Sequence, residues 1–228
     1  RRAADEVYEE SAYEEPAMAA PEAGFERPIA APAMAAPVAA AAEAEAEAED
    51  ASVEDAAPAD VAALAEESAP VAGRPWLEFL LRPVRAGTSQ DDAIVQFELT
   101  IGNTGTVSAT DVKISTWMFA DGQGTELERS LIDPPAGATV SEVDIAAGDG
   151  ARVDGEFSLP KSGLSESVLP VVVADARYRL PGGGEGRTSA SFAIGMADGD
   201  ALTPFPTDRA SGLLEDVEAR LHGEPRRT

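Results

Sequence analysis

The chain has no cysteine and a single histidine, His222. Without thiols there is no disulfide framework, no thiol nucleophile and no cysteine-ligated metal. Serine hydrolysis needs a base beside its nucleophile, and only position 222 offers the usual one. That histidine stands next to Gly223-Glu224-Pro225, where a solvent-exposed helix end is expected. Cations are scarce: 17 Lys and Arg face 42 Asp and Glu, for a formal net charge of −25. Nucleic acid is therefore not an expected partner, because phosphate contacts need clustered Lys and Arg. A carbohydrate-binding module is the alternative reading; it would want two or three exposed aromatics in a row, and aromatics are few here (two Trp, three Tyr, seven Phe). No apolar run is long enough to span a bilayer.

Other motifs of catalysis are missing too. There is no G-x-S-x-G elbow, and the glycine-rich run from Gly182 to Gly186 lacks the Gly-Lys-Ser/Thr of a phosphate-binding loop. Asn103-Thr104-Gly105 places an amide where a proton-sharing dyad requires a carboxyl. A hydrolase of unrecognised type, built from paired carboxylates, stays open as a lesser alternative.

What the chain does contain divides by composition. Residues 1–72 are mostly Ala, Glu and Pro, with PAMAAP at 16–21 and again at 32–37. Such a segment buries too little surface to offset its ordering entropy and reads as a disordered acidic linker. Within it, a helical turn over 60–67 with Asp60 as its cap is expected. Tyr8, Tyr13 and Phe25, set among acids, form a candidate partner-binding motif. Arg1-Arg2 ahead of an acidic spacer would suit the cytoplasmic end of a transmembrane helix lying upstream.

Residues 74–196 alternate with the period of half-buried strands. The clearest pair lies in 93–119. Ala93, Val95, Phe97, Leu99 and Ile101 share one face; Val112, Ile114, Thr116 and Met118 share another. Asn103-Thr104-Gly105 between them tolerates the positive φ of a tight reversal, and the connection is long enough for the two strands to lie in different sheets. Further strands are expected over 76–84, 126–132, 138–145, 151–159, 168–180 and 187–195, with a polar turn at 86–92 and a hairpin loop at 181–186. Pro83 marks an edge or a strand end. Apolar residues on both faces of 170–174 mark a central strand. Seven or eight such strands without intervening helices imply an all-β fold, an antiparallel sandwich of two packed sheets.

Residues 197–228 read as a loop, from which Leu202 and Phe205 dock back, and then a short amphipathic helix. Leu213, Leu214, Val217 and Leu221 carry the helical spacing, with Ser211 as the cap and Asp216 four residues before Arg220.

Two candidate sites follow. Trp117 and Phe119 stand on the otherwise polar face of their strand and are the candidate binding patch. Asp121, Asp198 and Asp200, or Asp144, Asp149 and Asp154, supply hard oxygen ligands in Gly-containing loops, so calcium is the one cofactor considered.

The run Asn103-Thr104-Gly105, then Ala109 and Val112, with Ala147-Gly148 ahead of a later strand, resembles bacterial immunoglobulin-like modules of the CARDB-like kind. Pro170-Val171-Val172-Val173 with Tyr178, Phe192-Ala193-Ile194-Gly195 and Leu202-Thr203-Pro204-Phe205 look like uncharacterised membrane-anchored proteins of sphingomonad-type bacteria. The first resemblance implies an immunoglobulin-like sandwich. The second implies a single transmembrane tether ending near Arg1-Arg2, with a soluble module beyond it. Together they lead to the expectation of a non-catalytic, membrane-tethered module that binds a protein partner in the cell envelope. The arginines place it on the cytoplasmic side; adhesion-like modules more often lie in the periplasm or at the cell surface.

Overall fold

The computed structural model describes residues 52–67, 71–122 and 138–228. Its elements, in chain order, are β1 (Ser52–Asp55), α1 (Pro58–Glu67), β2 (Leu77–Thr88), β3 (Asp92–Asn103), β4 (Ala109–Ala120), β5 (Thr139–Ile145), β6 (Gly150–Pro160), β7 (Ser167–Val168), β8 (Pro170–Arg179), β9 (Glu185–Asp198), β10 (Ala201–Thr203), β11 (Phe205–Pro206), β12 (Gly212–Leu214), β13 (Glu218–Leu221) and β14 (Arg226–Arg227). They form an all-β sandwich. One sheet runs β1-β6-β3-β2-β12, the other β10-β9-β8-β4-β5 with β13 and β14 also on β9, and β11 pairs β7 apart from both. Every pairing is antiparallel.

Alternation builds the core as the sequence leads one to expect. Val95, Phe97, Leu99 and Ile101 of β3 meet Val112, Ile114 and Met118 of β4, with Val153 and Phe157 of β6 and Phe192 and Ile194 of β9, in one buried cluster. The rings of Phe97 and Phe157 stack at 5.4 Å between centroids. β8 is buried on both faces and sits between β4 and β9, with Pro170 at its start. Phe205 docks into the core as expected.

The link from β3 to β4 crosses between the sheets, so the longer-range of the two readings holds. Its chemistry differs from the expectation, because neither Asn103 nor Gly105 has a positive φ. Asn103 is instead a buried hub, 0% exposed. Its Oδ1 accepts from the backbone N–H of Trp76 and of Gly105, each at 3.1 Å. Its Nδ2 donates to the carbonyls of Val107 (2.9 Å) and Ile145 (3.2 Å). Gly105 is required by close approach: a Cβ there would lie 2.3 Å from the Arg74 carbonyl oxygen. Among the described residues the one non-glycine with positive φ is Asp111 (51°), at a bulge in β4 between Ala109 and Val112, where one extra residue bends the strand.

Four other expectations are corrected. Residues 52–67 belong to the folded domain rather than to a linker ending at 72: β1 pairs with β6 and α1 packs on β3 and β2. Asp60 is not the helix cap. Pro58 occupies the first turn, the Ala57 carbonyl accepts from the N–H of Asp60 and Val61, and the Asp60 carboxylate pairs with Arg82 at 2.5 Å. Residues 86–88 continue β2 instead of turning; the reversal falls at 89–91. The C-terminal helix is absent. Gly212, at φ 73°, breaks the helical path, and Ser211 is tied to Thr88 by two reciprocal bonds, Thr88 N–H to Ser211 Oγ (2.9 Å) and Ser211 N–H to Thr88 Oγ1 (3.0 Å). The segment supplies β12 to β2 and β13 and β14 to β9. Unpaired edge groups of a sheet outrank the weak preference of a short amphipathic pattern. Residues 1–51 and the strand expected over 126–132 lie outside the described residues.

Pro83 sits at a bulge between Pro83 and Arg85. That is where a strand tolerates the loss of an N–H donor.

Candidate functional site

Trp117 and Phe119 do not form a surface patch. They are 3% and 8% exposed and belong to a second buried cluster with Val171, Val173 and Ala193. Ala138, Leu169 and Leu202 pack against that cluster. Side chains of this size are buried more often than displayed, and the part of the outer face formed by this cluster is closed to solvent. Among the described residues the Trp117 indole Nε1 has no hydrogen-bond partner. Of the other aromatics among the described residues, Trp76 and Phe79 are part-exposed, and the guanidinium groups of Arg74 (5.4 Å) and Arg227 (5.1 Å) both lie over the Trp76 ring.

Neither aspartate set is gathered for calcium. Among the described residues no three His, Asp or Glu side chains stand together at metal-binding geometry. In the second set the carboxylates serve local needs. Asp144 Oδ1 accepts from Asp111 N–H (2.8 Å), Asp149 Oδ1 from Gly150 N–H (2.9 Å), and Asp154 Oδ2 from Arg152 (3.0 Å).

His222 is not at a helix end. It follows β13, its backbone N–H donates to the Ser191 carbonyl at 2.7 Å, and its Nε2 lies 3.6 Å from Asp121. Ser191 Oγ is close by, yet it donates to the His222 backbone carbonyl (2.6 Å) rather than to the ring. A nucleophile must hand its proton to the base. This serine points its proton elsewhere.

One buried charge went unnoticed in the sequence. Asp175 is 1% exposed on β8 and accepts from Arg187 Nε at 2.5 Å and Arg177 Nε at 3.4 Å. In register Lys113, Arg177 and Arg187 stand directly opposite one another across β4, β8 and β9. Like charges so placed repel, and the Asp175 carboxylate beneath the two arginines offsets that repulsion. The signal was available: an Asp directly after the apolar run Val171-Val172-Val173-Ala174, with Arg at 177.

The sheet edges give the clearest functional geometry. β9 is covered along most of its outer edge, by β10 at Met196–Asp198, by β13 at Phe192–Gly195 and by β14 at Thr188–Ser189. β12 covers Ala86–Thr88 of β2, and β1 covers Ala151–Asp154 of β6. The rest of β2 carries Pro83 and a bulge, and the rest of β6 begins at Gly155 and ends at Pro160. These devices deter strand addition.

β5 has none of them. Among the described residues it pairs with β4 on one side and with no strand on the other. It runs Thr-Val-Ser-Glu-Val-Asp-Ile without Pro or Gly. Val140 is 59% exposed, Glu142 and Asp144 are exposed on the same face, and Ile145 turns into the core. Sequence reasoning placed this strand without marking it as a sheet edge. The alternation of Val140, Glu142 and Asp144 against Ser141, Val143 and Ile145 was the available clue.

Compared with known proteins, the chain matches no family model, no curated protein and no solved structure.

Proposed function

We propose that this is an immunoglobulin-like interaction module without a reaction centre of its own, which binds a protein partner by taking an extended segment of it onto the edge of β5. The fold-type assignment rests on strand order. β2, β3 and β6 occupy the places of strands A, B and E, and β1 lies beside β6 where D would be. β4, β8 and β9 occupy those of C, F and G, and β5 extends that sheet beyond C. Attachment to a membrane, with a partner in the cell envelope, belongs to the same proposal and draws on the resemblance to membrane-anchored proteins.

The observation that carries the reading is the contrast between edges. Among the described residues, proline, bulges and short cover strands protect the others, while β5 presents seven residues of regular strand with a partner on one side only. An unpaired edge supplies main-chain hydrogen bonds to an added strand, and alternate side chains set its specificity.

The test is a photo-crosslinking amino acid placed at Val140 of the full chain in the source cells. The expected result is a discrete protein adduct from Val140 and none from Gly182, at the tip of the β8–β9 hairpin. Equal labelling from both positions, or no adduct from Val140, would reject strand addition at this edge.

A further inference from the structure

Given that reading of β5 as the docking edge, we infer that it selects a basic strand, in which two cations alternate and an apolar residue follows. Three side chains on the exposed face of β5 define the preference: Val140, Glu142 and Asp144. A strand added antiparallel, like every other pairing in the fold, meets them in reverse order. Read from its N-terminus, its pattern is basic opposite Asp144, any residue, basic opposite Glu142, any residue, and apolar opposite Val140.

The two carboxylates are not equally satisfied from within. Glu142 is paired with Lys113 at 3.0 Å, on the side facing β4. Asp144 receives the N–H dipole of Asp111 at 2.8 Å rather than a cation. Asp111 itself is paired with Arg179. Directly opposed unlike charges on adjacent strands attract, and like charges repel. An incoming Lys or Arg therefore completes a row that already runs Glu142, Lys113, Arg177, Arg187 across the sheet.

The same geometry argues against a second copy as the occupant. A two-fold antiparallel pairing centred on Glu142 would place that residue against its own counterpart and Asp144 against Val140. It would also bring together two chains of net charge −25. That charge instead raises the encounter rate with a basic partner. Edge carboxylates thus block self-association and admit a cationic strand.

The experiment uses the full chain and two labelled synthetic peptides, acetyl-TKTKTVT-amide and acetyl-TETETVT-amide, followed by fluorescence anisotropy at low and high salt. The lysine peptide is expected to bind about tenfold more tightly at low salt, from two favourable cross-strand contacts replacing two unfavourable ones. The margin should shrink in concentrated salt. In the Glu142→Lys/Asp144→Lys double variant, both positions being exposed, the preference should invert.

Equal binding of the two peptides overturns the inference. So does a preference that survives unchanged in the double variant, because it would then come from the whole-molecule field and not from β5. Concentration-dependent dimers in sedimentation, dispersed by adding charge at Val140 (Val140→Asp), would assign the edge to a second copy and also overturn it. If Val140 crosslinks a partner while the peptides fail to discriminate, strand addition stands and basic selection falls. If neither crosslink nor peptide binding is seen, both fall together.

Discussion

Gly102 of β3 stands directly across from Gly150 of β6, and the pair forms the floor on which α1 rests. A Cβ on Gly102 would lie 2.8 Å from Leu64 Cδ1, and one on Gly150 would lie 2.8 Å from Val61 Cγ2. The two missing side chains let a helix settle on the face of a sheet where a strand residue would ordinarily project. Gly150→Ala is the sharper test, since its Cβ would also meet the Ile101 carbonyl oxygen at 2.9 Å, which cannot swing aside. We expect a loss of about 1–3 kcal/mol in urea denaturation, as for other overpacked sites. Amide exchange should accelerate in α1 and not in β8. Unchanged protection of α1 would show that the glycine pair does not seat the helix.

Asn103→Ala should be more damaging than its size implies. The substitution removes four side-chain bonds and leaves Trp76 N–H, Gly105 N–H and the carbonyls of Val107 and Ile145 short of a partner. A loss of roughly 2–3 kcal/mol is expected, because stranded buried groups cost their full desolvation. Denaturation midpoints read this directly. A loss no larger than that of an exposed Asn→Ala change would mean that the hub is not holding the crossover.

Asp175→Ala should destabilise by about 3 kcal/mol, the lower end for a broken buried pair, because Arg177 and Arg187 are 33% and 24% exposed and reach water. Replacing the group together, Asp175→Leu with Arg177→Met and Arg187→Met, should recover most of that loss. A triple variant as unstable as the single one would assign the carboxylate some role besides neutralising the two arginines.

Trp117 separates packing from binding. Trp117→Ala should cost about 3–5 kcal/mol as a cavity in a closed cluster. Trp117→Phe should cost much less, because it also removes an indole N–H that has no partner among the described residues. Were Trp117 a contact residue for a partner, Trp117→Phe would leave the melting temperature alone and weaken crosslinking from Val140. The expected outcome is the reverse.

The sandwich was legible where local pattern and tertiary role coincide. Every inward residue of β3 from Ala93 to Ile101 is apolar and every one is buried. β8 announced its central place by apolar side chains on both faces. Legibility failed where the answer depends on which edges lie bare. Leu213, Leu214, Val217 and Leu221 fit a helical stripe as well as two short strands, and only the proximity of β2 and β9 decides between them. Trp117 looked displayed because its strand neighbours Ser115 and Lys113 are polar. Its real surroundings come from β8 and β9, more than fifty residues later in the chain. The β5 edge was hidden for the same reason, since exposure of a strand follows from its place in the sheet order and not from its own residues.

The way residues 212–227 close both sheets has a consequence for biosynthesis. A nascent chain that has emerged only as far as β9 already holds its seven long strands, yet β2 and β9 still offer raw backbone to any passing polypeptide. Protection arrives only with residues 212–227, which follow both sheets in the chain, so a product stalled or terminated before them should be far more prone to stick to its neighbours than one that carries them.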